Sequence, residues 1–195
     1  MTEKRGMEPA ARRRLMHQRT VVCDGYLRGD GLWEVEARLR DTKTFAYSHF
    51  ARGALEPGEA VHDMTLRLTV DDALTIVGVD AEMATTPVLT CQDVLPGMRA
   101  LIGIRLVAGW RKIARERIGR LESCTHLMDL MVPATTTFYQ TVGMGKHPEG
   151  RNAVNEAGEG GVRPFYLDGC YSWRIDGPVV REFLPVFAED RPAED

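Results

Sequence analysis

Ligand-type side chains gather at two places in this 195-residue sequence: His62-Asp63, and Ser123-Cys124-Thr125-His126 with Asp129 three residues on. Imidazole nitrogen, thiolate sulfur and carboxylate oxygen are the donors that borderline metals such as zinc and iron accept. His62, Cys124 and His126 are therefore candidate metal ligands, and Asp63 or Asp129 is a candidate general base or a carboxylate that orients an imidazole. Cys91 offers a further sulfur, although Val88, Leu89 and Leu95 around it fit a core-facing stripe better. Where a loop becomes a helix, a thiol lies near free N–H groups and the positive end of the helix dipole, and it ionises more readily there. Cys124 is on that ground also a candidate nucleophile, with His126 or His62 as its base. Cys124 and His126, two apart, converge only if Cys124 belongs to the helix cap, whereas His126 and Asp129 share a helical face. Arg163, Tyr166 and Trp173, in the aromatic tail from 163 to 173, would close a hydrophobic substrate pocket over the site. Each motif alone also has a plain structural reading: His62-Asp63 as groups that satisfy a turn, Cys124 and His126 as a packed thiol and a hydrogen-bonded core histidine.

The elements that must position these residues change character along the chain. Strand character begins near Thr20 and runs through the Gly29-Asp30-Gly31 turn into Trp33, Val35, Ala37 and Leu39, which alternate with Glu34, Glu36 and Arg38. That period of two predicts a half-buried hairpin. After the Glu56-Pro57-Gly58-Glu59 turn, Met64, Leu66, Leu68 and Val70 alternate in the same way, and Asp71-Asp72 reverses the chain into 74–83 as a second hairpin. From Pro87 the apolar residues recur at three to four positions, which predicts helices. One is expected from Gly109-Trp110 to Gly119, another capped by Ser123 and kinked at Pro133, and a short last one after Gly177-Pro178. The fold expected is α+β, an antiparallel sheet of about four strands in two hairpins, packed by helices from the C-terminal half. The organisation expected is a charged leader at 1–18, a single domain at 19–187 with a mobile loop at 143–161, and an acidic tail at 188–195.

Composition narrows the function classes. With 44% hydrophobic and 27% charged residues and a net charge of −3, the chain can bury a core and has no global positive field for nucleic acid. The Arg12-Arg13-Arg14 cluster is followed by no apolar stretch that could serve as a signal core or membrane span, so a cytoplasmic location is expected. The four cysteines lack a CxxC pair, which argues against a disulfide framework. Phosphate-binding GxxxxGK[ST], dinucleotide-binding GxGxxG and nucleophile-elbow GxSxG patterns are missing too. An exposed edge strand makes a homodimer a reasonable assembly.

Arg19, Asp30-Gly31-Leu32-Trp33-Glu34-Val35-Glu36, Asp41-Thr42-Lys43, Val61-His62-Asp63-Met64 with Arg67, Cys124-Thr125-His126-Leu127, and Arg163-Pro164 with Leu167-Asp168-Gly169-Cys170 together resemble the bacterial domain-of-unknown-function 2889 family. The resemblance implies that these scattered motifs belong to one fold and implies little about activity; Ser123 stands where it leads one to expect glycine, and Asp129 where glutamate is expected. A looser similarity of layout concerns iron–sulfur scaffold proteins of the IscU and NifU type, on the order His62-Asp63, Cys91, Cys124. The expectation is a small cytoplasmic metal-binding protein, a zinc or iron enzyme of lyase or hydrolase type acting on a small hydrophobic or aromatic molecule. The alternatives are a zinc or iron–sulfur carrier and a metal-free enzyme with a Cys124 nucleophile.

Overall fold

The computed structural model describes residues 11–143 and 163–189. The expected mobile loop, from residue 144 on, lies outside the described residues, as do residues 1–10 of the leader and 190–195 of the acidic tail.

Six strands follow in chain order: β1 (His17–Leu27), β2 (Trp33–Lys43), β3 (Tyr47–His49), β4 (Gly53–Leu55), β5 (Ala60–Val70) and β6 (Ile76–Thr85). Four of them form one antiparallel sheet in the order β1-β2-β5-β6, so the two expected hairpins lie side by side. Gly31 takes a positive φ of 82° in the first turn, where Asp30 accepts the Leu32 N–H. Asp71 plays the matching part in the second turn by accepting the Thr75 N–H. Helix α1 (Trp110–Ile118) and helix α2 (Thr125–Val142) follow the sheet, and α3 (Pro178–Phe183) comes late in the chain. The α+β architecture read from the sequence is thus the one observed.

One face of the sheet carries the core. Trp33, Val35, Ala37 and Leu39 of β2, with Met64, Leu66, Leu68 and Val70 of β5, are buried against Leu127, Leu130, Met131, Ala134 and Phe138 of α2. The other face is wet and ion-paired: Arg67 bonds Glu36 at 2.8 Å, and Arg38 grips Asp63. At one end of the buried face the apolar alternation does not stop. It continues in phase into Asp41 on β2 and His62 on β5, which are register partners, and into Arg19, the partner of Asp41 on β1.

Several local expectations need correction. The first strand starts at His17, three residues before Thr20, because His17 and Arg19 are tied to β2 through Asp41. The segment Leu89–Leu101, expected to be helical, is a 3-10 helix with Pro96 in its interior. Cys124, not Ser123, caps α2, and Pro133 lies in the interior of that helix. The β3–β4 hairpin escaped the sequence reading; its Gly53 turns at φ 76°, and three-residue strands carry too little alternation to be seen. Residues 163–189 build a second apolar cluster of their own from Leu167, Ile175, Val180 and Leu184. Among the described residues no helix is long and apolar enough to cross a membrane.

Candidate functional site

The site grows from a single carboxylate in a core position. Asp41 sits where the period of two in β2 would place another apolar side chain, and it is 1% exposed. A charge so placed needs compensation from every side. Arg19 supplies a bidentate grip, its Nε donating to Oδ1 at 2.8 Å and its Nη2 to Oδ2 at 2.7 Å. His17 Nε2 lies 3.2 Å from Oδ1, and His62 Nδ1 lies 3.0 Å from Oδ2. Three strands therefore converge on one carboxylate, each contributing from a position fixed by ladder register.

Helix α2 closes the site from above. Its first turn sets His126 against His62 with ring centroids 4.0 Å apart and planes tilted by 41°. Cys124, extended at the cap, swings its Sγ to 3.9 Å from His126 Nδ1, a convergence that a regular helix forbids at this spacing. One donor atom each from Asp41, His62 and His126 lie within 4.8 Å of one another, a grouping able to hold a metal ion.

The electrostatics follow from burial and from these partners. Burial alone would raise the Asp41 carboxyl, but the hydrogen bond and charge of Arg19, helped by His17 and His62, outweigh it and hold the group down at about 2. Burial, then the neighbouring His126, lowers His62 against the opposing pull of Asp41. Burial, then Arg19, lowers His126, with Asp41 and Asp129 pulling the other way. At neutral pH the site thus holds an ionised carboxylate, a guanidinium and two neutral imidazoles. An ionised carboxylate only accepts, so His62 Nδ1 carries a proton in this arrangement and Nε2 carries the lone pair.

The structure brings His62, His126 and Cys124 together, with Asp129 close enough to act on the charge of His126 and of Arg19. Asp63 is placed elsewhere: as the strand neighbour of His62 it points to the outer face, held by Arg38 at 2.8 and 2.7 Å and by Arg40 at 3.7 Å. Cys91 is half-buried in the 3-10 segment and packs against the core, outside the ligand grouping. Tyr166 and Trp173 pack on each other at 4.8 Å in the tail cluster, and Arg163 bonds Asp168 at 3.0 Å. A ring contact between Phe165 and Tyr139 at 5.0 Å links that tail to α2. Asp41 and His17 were not singled out as site residues from the sequence. The available signal was an acid in phase with the apolar stripe Trp33 to Leu39.

The family described as protein of unknown function (DUF2889) matches residues 17–140, a span that contains every residue of this site, from His17 to His126. No curated protein and no solved structure matches the chain. The chain belongs to the DUF2889 family.

Proposed function

We propose that this member of the DUF2889 family binds one divalent transition metal, zinc or iron, through His62, His126 and Asp41, and that the centre serves a hydrolase- or lyase-type reaction on a small molecule. The observation that carries the reading is the convergence of two neutral imidazoles and one ionised carboxylate within 4.8 Å. Two histidines with one carboxylate form a ligand set that leaves coordination positions open, as catalytic sites require. The spacing fits as well. Ligand atoms about 2.0–2.1 Å from a tetrahedral metal stand about 3.3 Å apart, and His62 Nδ1 already lies 3.0 Å from Asp41 Oδ2. Entry of the ion between them needs only that the His62 proton move to Nε2, with no net proton lost. Arg19, which bonds both carboxylate oxygens, and His17, which lies on Oδ1, fix the plane of the carboxylate, the part that outer partners of metal ligands play. A divalent ion held there supplies a Lewis acid for a carbonyl or phosphoryl oxygen. Cobalt(II) titration of chelator-treated protein tests this reading: a saturable visible band at one equivalent supports it, and a featureless spectrum counts against it. A sulfur-to-cobalt charge-transfer band would add Cys124 to the ligands.

A second reading has its own observation, the 3.9 Å approach of Cys124 Sγ to His126 Nδ1 at an uncapped helix N-terminus. In that reading the pair is a thiol nucleophile with its base, and no metal is needed. Alkylation of Cys124 that slows in His126→Ala is its expected signature.

A further inference from the structure

Helices α1 and α2 leave between them a cleft of about 390 Å³. Its floor is apolar: Ala114 and Ile118 are buried, and Trp110 and Met128 flank them. Its rim is cationic, with Arg111, Arg115 and Arg120 against Asp129, the one carboxylate among the described lining residues. Arg111 and Arg115 stand four apart on α1 and so project from the same face. Thr125, the first residue of α2, forms part of the wall, and that helix begins with no side-chain cap bond and no acidic residue in its first turn. Its leading N–H groups are left as donors at the positive end of the dipole.

We propose that this cleft binds a small organic oxyanion, a carboxylate or phosphate monoester with an apolar or aromatic body. The anion would meet the arginines and the start of α2, and the body would cover Trp110, Ala114 and Ile118. An apolar floor with a few convergent polar groups is the general form of a small-molecule site, and a planar guanidinium suits both oxyanions. Asp129 joins the cleft to the histidine centre, because it lines the one and acts on His126 in the other. Binding in the cleft does not require a metal at that centre, so it goes beyond the reading above and stands or falls separately.

The test is calorimetry and amide-shift mapping of the full chain, treated with chelator, at low salt, with benzoate, phenyl phosphate and inorganic phosphate as probes. Expected is saturable binding of benzoate or phenyl phosphate, with shifts at the Trp110 indole and the Thr125 amide. Arg111→Gln and Arg115→Gln, both at exposed positions, are expected to weaken it about tenfold or more each. Added salt should weaken it further. No saturable binding of any probe, or equal affinity in the arginine variants, would overturn the proposal. So would inorganic phosphate binding as tightly as phenyl phosphate, since the apolar floor would then contribute nothing.

Discussion

At the scale of the residue, Asp41 explains the other members of the site. A carboxylate in a core position is stable there only because Arg19, His17 and His62 occupy its acceptor positions. Asp41→Asn removes the charge and leaves those donors poorly matched. It is expected to cost about 2–3 kcal/mol in denaturant unfolding. The acid limb of stability carries the same signature in the metal-free protein. The folded carboxyl, at about 2, lies below its ordinary 3.8, so its contribution is complete above pH about 4 and lost as pH falls toward 2. The loss is about 1–2 kcal/mol once partial exposure of Arg19 is allowed for. The histidines add an earlier step. Their folded pKa values lie below 6.5, so the unfolded chain takes up protons first and stability declines as pH drops below about 6.5. Unfolding measured from pH 7 to 2 should therefore decline in two stages, and His62→Ala should reduce the first stage more than the second, which rests mainly on Arg19. His62 and His126 were legible in the sequence because ligand types at element starts stand out. Asp41 was not, since an acid in a strand reads as solvent-facing until its phase is counted.

At the scale of the element, the site exists because a period of two and an extended cap act together. Strands β2 and β5 carry Asp41 and His62 onto the core face by parity alone, and a one-residue slip of register would send both to the wet face beside Asp63. The hairpins were legible for the same reason, the apolar alternation being strong over 33–39 and 64–70. The 3-10 segment was not, because apolar spacing at three and four residues fits both kinds of helix, and an interior proline occurs in both, Pro96 there and Pro133 in α2. Helix α2 must lie close over β1 to bring His126 down, and Gly25 permits this: a Cβ there would overlap the Thr141 side chain. Gly25→Ala is expected to destabilise by about 1–3 kcal/mol as overpacking does. Thr141→Ala in the same chain should recover part of the loss, as thermal unfolding would report. Unchanged stability in Gly25→Ala would mean that β1 and α2 are not in close contact.

At the scale of the whole molecule, the family match spans the sheet, α1 and most of α2, but not the tail cluster of 163–189. The histidine centre is thus built from the shared region, while Arg163, Tyr166 and Trp173 belong to a part that packs mainly on itself. Trp173→Ala is accordingly expected to leave metal affinity unchanged while loosening that cluster, a separation that calorimetry with zinc and tail amide exchange would reveal. Metal bound by the folded chain alone should also raise its stability, by about 2.7 kcal/mol at a free concentration a hundredfold above Kd. The central claim is tested most directly by the metal content of the purified protein compared across His62→Ala, His126→Ala, Asp41→Asn and Cys124→Ser. One equivalent of zinc or iron is expected in the wild type and in Cys124→Ser, weakened retention in Asp41→Asn and none in either histidine variant. A wild type that takes up no divalent metal, or folded histidine variants that keep it, would rule out a metal centre at His62, His126 and Asp41.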